Sequence, residues 1–297
     1  MKDLMYTILF KSFKYFIILI PNSFVLLGMK GFTRVLYFFD KKHRKVAQVN
    51  LDLAYEDSLS QIEKEHIIKS CYLNLGMSLV DFIENQGISK EALLSKVTFK
   101  NEKILENVLA QKKKVILVTA HYGNWELVAL SIAAKFGDMT IIGRDLDSLK
   151  MNSILKQNRE QFGIEVIDKK GAMKSMISAL KANRMLGLLV DQNTSDSEGL
   201  LVNFFEKPVR HTPSAAILSR RFDAVILPVY ITTEDYKHYT LTFYDSIETA
   251  KTNNKGADIL DCVQKQAKIT EEVIRRKPEE WFWLHKRWKN QFEHCYD

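Results

Sequence analysis

Disulfide-spaced cysteines, nucleotide-binding glycine loops and an unbroken membrane-length apolar run are all missing from this 297-residue chain. Its three cysteines, Cys71, Cys262 and Cys295, form an odd, scattered set that suits a reducing compartment and no disulfide framework. Neither Gly-x-Ser-x-Gly, a glycine-rich phosphate loop nor His-Glu-x-x-His occurs, which removes serine-hydrolase, nucleotide and zinc-protease readings. His43, His66, His238, His285 and His294 give no metal-ligand spacing either, so no metal and no cofactor is expected. Internal repeats and low-complexity segments are also lacking.

Positive charge is what the chain has in excess. A net charge of +7 with a pI near 9.1 calls for an anionic partner: nucleic acid, acidic lipid, or a phosphorylated or acidic carrier substrate. Aromatic and basic residues mix in Trp281–Lys289, but no nucleic-acid motif accompanies them, and no nucleic-acid partner is expected. The tryptophans there suit either a membrane interface or burial against a C-terminal helix. With 46% hydrophobic residues the chain can bury a sizeable core.

The first forty residues differ from the rest. Tyr15–Leu19 and Phe24–Leu27 are apolar runs broken by Pro21-Asn22-Ser23 and flanked by Lys11, Lys14, Lys30 and Arg34. A spanning helix needs about 20 apolar residues, so the break favours two interfacial or half-inserted helices, near Met5–Ile20 and Asn22–Phe39, over one span. No small-x-small cleavage site follows, so a removable leader is not expected. The cluster Lys41-Lys42-His43-Arg44-Lys45 suits an anionic cytoplasmic leaflet. A soluble helical hairpin followed by a solvated basic face is the competing account. These patterns divide the chain into a membrane-associating segment, residues 1–40, and a main domain, residues 41–297, expected to carry the protein's chemistry.

Beyond that segment, Ile62, Ile67, Leu73, Leu75, Leu79 and Phe82 predict one or two helices between Ser60 and Asn85, opened by a Ser60/Glu63 capping box. Short apolar strands then alternate with helical stretches: Val115–Thr119, a helix to Phe136, Thr140–Gly143, a helix over Ser148–Phe162, Ile164–Ile167, a helix over Ala172–Ala182, and Leu186–Val190. Strands at Leu200–Phe205, Val225–Tyr230 and Tyr239–Tyr244 follow, with helices at Pro213–Arg221 and Asp258–Arg276. Such alternation predicts an α/β fold, a mixed and largely parallel central sheet flanked by helices, with the helical membrane-associating segment in front.

Chemistry concentrates where the first of these strands ends. In Val115–Glu126 a buried strand runs out into His121, and a carboxylate follows five residues on. Gly123 permits a tight turn, Asn124 suits a helix N-cap, and Glu126 falls in the first helical turn, where the dipole favours a negative charge. From there Glu126 could fix one imidazole nitrogen of His121 and leave the other to accept a proton from a hydroxyl. The alternative is a turn histidine satisfied by backbone beside an ordinary first-turn acid. Asp191-Gln192 ends another apolar strand, at the sheet edge where ligands gather in open α/β folds, though loop capping would also explain it. Phe204 and Phe205 suit an apolar ligand path or, more simply, the core, and His211 lacks the attendant carboxylate of a second base.

His-x-Gly-Asn-Trp-Glu after an apolar strand resembles the His-x4-Asp/Glu motif of the bacterial lipid A biosynthesis acyltransferases, the late Kdo-dependent enzymes of lauroyl/myristoyl type. Co-linear matches span about Lys41 to Lys289: Lys45-Val46-Ala47-Gln48-Val49-Asn50-Leu51, Arg144, Arg159-x3-Gly163, Asp191-Gln192, Phe204-Phe205 and Trp281-x-Trp283-x-His285-x-Arg287-Trp288-Lys289. Asp145 stands where the family usually has proline, and Glu206 where it usually has glycine.

The resemblance implies an O-acyltransferase that moves a fatty acyl group from an acyl carrier protein thioester to a hydroxyl of a phosphorylated lipid A precursor, on the cytoplasmic side of the inner membrane. It implies His121 and Glu126 as catalytic residues. Arg159 and Arg144 would bind acidic groups of the acceptor through their planar donor forks, with Asp191, Gln192 and Asn124 also at the substrate. Backbone N–H groups of Gly123–Trp125 are candidates for the oxyanion. The rivals are a glycerolipid acyltransferase, whose Glu-Gly-Thr-Arg block is missing here, and a non-catalytic basic peripheral membrane protein.

Overall fold

The computed structural model describes residues 2–297. Helices α1 (Lys2–Leu19), α2 (Asn22–Phe39) and α3 (Lys41–Tyr55) lead to α4 (Gln61–Glu84), a single helix opened by the Ser60/Glu63 capping box. Then come α5 (Lys90–Ser95), β1 (Val97–Lys100), α6 (Lys103–Ala110), β2 (Val115–Thr119), α7 (Trp125–Phe136), β3 (Met139–Gly143), α8 (Leu149–Arg159), β4 (Ile164–Asp168), α9 (Ala172–Lys181) and β5 (Met185–Leu189). The hairpin β6 (Leu200–Phe204) and β7 (Lys207–His211) precedes α10 (Ser214–Phe222), β8 (Val225–Thr233), β9 (Tyr239–Phe243) and α11 (Lys255–Arg276).

Seven strands form one sheet in the order β1-β9-β8-β2-β5-β3-β4, parallel throughout except where β9 runs against β8. The α/β, largely parallel sheet is therefore as the alternation predicted. Two elements differ from it. Leu200–Phe204 stays out of the central sheet and pairs only with β7; its turn places Phe205 and Glu206 at φ 52° and 59°, the backbone of a two-residue I′ hairpin, at the position where glycine would be the easier residue. β1, Val-Thr-Phe-Lys, alternates apolar and polar residues but is only four residues long, too short for that pattern to mark it in the sequence.

Period-two alternation splits β2 between two cores. Ile116, Val118 and Ala120 face a cluster shared with α9, α10, α11 and the C-terminal tryptophans, whereas Val115 and Leu117 face a second cluster beneath α7. Trp281, Trp283 and Trp288 are buried, as are Phe204 and Phe205, so these aromatics serve the core and not a membrane surface.

The N-terminal helices occupy the predicted positions. Ile17, Val25 and Met29 dock on Met77, Val80 and Ile83 of α4, while Leu19, Phe24, Leu27, Phe32 and Phe39 stay exposed. Among the described residues no helix is long and apolar enough to cross a membrane.

Candidate active site

β2 delivers His121 to the carboxyl edge of the sheet. β5 lies beside it in parallel register, Thr119 opposite Leu189, so the chain leaves both strands side by side and Asp191 arrives next to His121. Asp191 Oδ1 takes the imidazole at Nδ1, 2.8 Å away, and Oδ2 accepts the His121 backbone N–H at 3.0 Å. A third donor, Trp281 Nε1, reaches Oδ2 at 2.9 Å. Burial alone would raise the Asp191 carboxyl, but the charge and hydrogen bonds of His121, with the indole, overcome it and hold the group at about 2. An ionised carboxylate only accepts, so the imidazole proton sits on Nδ1 and Nε2 is left as the acceptor.

The same pair acts on the imidazole. Burial disfavours the imidazolium, yet the Asp191 charge outweighs that penalty and, with a further contribution from Glu126, raises His121 above its ordinary value. Trp125 and Phe282 wall the ring with centroids 5.2 and 6.2 Å away. The Gln192 amide nitrogen donates to Nε2 across 3.4 Å.

Glu126 is not the partner of His121. Its carboxylate meets Arg159 in a forked pair, Nε to Oε2 at 2.8 Å and Nη2 to Oε1, with both side chains about four-fifths buried. Arg159 is thereby held ionised: burial opposes its charge, and the Glu126 hydrogen bonds and charge prevail. The spacing of five in sequence is real, but α7 begins at Trp125 and aims Glu126 across a cleft toward α8.

Asn124 caps α7 by accepting the Leu127 N–H at 3.3 Å, and its Nδ2 donates to Asp81 at 2.6 Å. Both ends of this amide, expected at the substrate, are committed internally. Gly123 likewise spends its N–H on the Glu280 carbonyl at 2.8 Å, so it is no oxyanion donor. Its φ is +55°, and a Cβ there would stand 2.2 Å from the Ile231 carbonyl oxygen. Gly123→Ala is therefore expected to cost about 3 kcal/mol or more of stability, read as a lowered unfolding midpoint; an unchanged midpoint would show that the turn relaxes freely.

Arg144 is exposed just after β3 and shares a polar cleft with Arg159, Lys156 and Asp168. On the other side of Arg159 lies an apolar groove between α7 and the sheet, with Trp125, Glu126 and Thr119 among the residues that line it. His211 is fully buried and pushed down to about 3 by that burial and by Arg287, which makes it a core group and no second base. Sequence spacing points neither to Asp191 as the histidine's acid nor to Trp281 as its brace. Strand adjacency carries the first fact, and the fold-back of the C-terminal segment carries the second.

The chain matches the family described as bacterial lipid A biosynthesis acyltransferase over residues 4–290. It is similar to the lipid A biosynthesis palmitoleoyltransferase of Escherichia coli K12, 25% identical over 263 residues, covering 85% of this chain and 81% of that one. The lauroyltransferase of lipid A biosynthesis from the same organism is 23% identical over 274 residues, covering 89% and 84%. A phosphatidylinositol mannoside acyltransferase of Mycobacterium tuberculosis is 22% identical over 188 residues, 62% of this chain and 57% of that protein.

Proposed function

The chain belongs to the bacterial lipid A biosynthesis acyltransferase family, and from that premise we propose that it transfers a fatty acyl group from an acyl carrier protein thioester to a hydroxyl of a phosphorylated lipid A precursor. Acyl transfer in lipid A biosynthesis is the activity of the family; the donor and the acceptor group are our reading. One observation carries it: His121 is locked by Asp191 in the tautomer that leaves Nε2 an acceptor, and Trp125, which packs against its ring, lines an apolar groove that suits a fatty chain.

Nε2 takes the proton of the acceptor hydroxyl as its oxygen attacks the thioester carbonyl. Asp191 stabilises the imidazolium that results. The tetrahedral intermediate then collapses, the carbon–sulfur bond breaks, and the imidazolium proton goes to the departing thiolate. A thiol has a lower pKa than an alcohol, so collapse favours the ester. Arg144, Lys156 and the remaining face of Arg159 line the polar cleft and suit acceptor phosphates, while the basic balance of the chain suits both that acceptor and an acidic carrier protein.

Residues 1–40 fit peripheral contact with the cytoplasmic face of the inner membrane, with the exposed apolar row of α1 and α2 entering the interface and residues 41–297 performing the chemistry. Changing exposed Leu19, Phe24 and Leu27 together to Glu is expected to cut co-sedimentation with anionic vesicles by about tenfold or more without unfolding the protein. Undiminished sedimentation would place the membrane contact elsewhere.

The reaction itself is tested by offering acyl carrier protein and coenzyme A thioesters with a phosphorylated lipid A precursor, glycerol 3-phosphate and phosphatidylinositol mannoside in parallel, and weighing the products by mass spectrometry. The reading expects one added acyl group on the lipid A precursor, supplied by the carrier protein. Acylation of either other acceptor in preference would overturn the acceptor assignment, and preference for coenzyme A the donor.

A further inference from the structure

β5 is an interior strand of the sheet, flanked by β2 and β3, and such a strand is ordinarily covered on both faces. Here one face is left partly uncovered toward its carboxyl end. Leu189 is 39% exposed and Gly187 is partly exposed, both pointing to the α7 side by period-two alternation. Their openness is the groove described above. Strand register sets its depth in rows: Thr119 beside Leu189 at the mouth, Leu117, Gly187 and Ile141 one row down, and Met139 beside Met185 below that. At about 3.3 Å per residue the Gly187 row lies roughly 7 Å below the mouth and Met139 roughly 13 Å below it.

Met139 does not stay in its row. Its Cε stands 2.8 Å from where a Cβ on residue 187 would be, with Ile141 Cγ2 at 3.0 Å. The missing side chain of Gly187 is thus the seat on which the flexible tip of Met139 folds to close the groove. Resting on the acyl-transfer reading, we infer that Gly187 and Met139 together form the groove's floor and determine the length of acyl chain this protein accepts. Glycine sets how far the methionine can lie back, and the methionine is the stop that the chain end meets.

The test is reciprocal. Gly187→Ala pushes the Met139 tip up into the groove, and Met139→Ala removes it. With purified full-length protein, kcat/KM is measured for hexadecanoyl and dodecanoyl carrier-protein thioesters. Each methylene turned out of an apolar groove costs about fourfold in transition-state binding, so a displaced floor changes the hexadecanoyl-to-dodecanoyl ratio by about tenfold or more. The ratio is expected to fall in Gly187→Ala, to rise in Met139→Ala, and to return toward wild type in the double variant, where the methyl added at position 187 no longer meets a thioether. Met139→Ala only removes atoms and decides the matter by itself should Gly187→Ala fail to fold. Active variants whose ratio stays within about twofold of wild type overturn the floor assignment and leave acyl transfer standing. A wild-type protein that consumes neither thioester overturns the acyl-transfer reading, and this inference with it.

Discussion

Replacing His121 with alanine is expected to lower acyl transfer by about a thousandfold while the unfolding midpoint changes by only a few degrees. The imidazole combines a fixed donor side with an acceptor at the carboxyl edge of the sheet, since Asp191 holds Nδ1 at 2.8 Å. Without it an attacking hydroxyl must lose its proton to water. The ring lies at the cleft against Trp125 and Phe282, so its removal should leave the two main cores packed. A variant that turns over within about tenfold of wild type would mean that the proton leaves by another route.

Asp191→Asn tests the same assignment from behind. An asparagine amide can present its N–H₂ to Nδ1 and stabilise the wrong tautomer, the effect that lowers turnover about ten-thousandfold in serine-protease triads. The pH profile supplies a second readout with a definite sign. His121 acts in its neutral form, so kcat/KM should fall as pH drops through its value, which the Asp191 charge raises above 6.5. Losing that charge lets burial prevail, and the acid limb of Asp191→Asn should move to lower pH. An acid limb that stays in place would remove Asp191 from the role. The linkage to folding runs the other way: the His121–Asp191 pair stabilises the fold fully below the unfolded-state value of the histidine and loses that contribution as pH rises through the raised one.

How much of this was legible in the sequence depends on range. Val115–Thr119 and the helix ending at Phe136 are readable because their period and their breakers, Gly123 and Gly137, are local. So is the Ser60/Glu63 box. The acid partner of His121 is not readable in the same way. Glu126, five residues away, is the natural candidate by spacing, whereas Asp191 lies 70 positions on and becomes a neighbour only because β5 inserts between β2 and β3. Nothing in either strand's own composition dictates that order. Trp281, 90 residues beyond Asp191, reaches it because the C-terminal segment folds back to bridge Tyr122. The Phe204–Phe205 pair was readable as core, but its separation from the main sheet follows from a turn whose backbone two non-glycine residues adopt.

Arg159→Ala is expected to lower both stability, by about 2 kcal/mol, and acyl transfer, by about a hundredfold, and the two losses should part company in a double variant. Breaking a fully buried pair costs about 3–5 kcal/mol because it strands a charge; this pair keeps about one-fifth of each side chain in solvent, which reduces the penalty. Glu126→Gln combined with Arg159→Met leaves no ion stranded and should recover most of the stability. Activity should not return with it. Arg159 lines both the apolar groove and the polar cleft, so its guanidinium, fixed by Glu126 at 2.8 Å, is where a fatty chain on one side and acceptor phosphates on the other would be held in register. A structural strut would show activity recovering in step with the melting temperature. A positioning cation would show a refolded protein whose KM for the lipid acceptor stays high, and full activity in the double variant would demote the pair to scaffold.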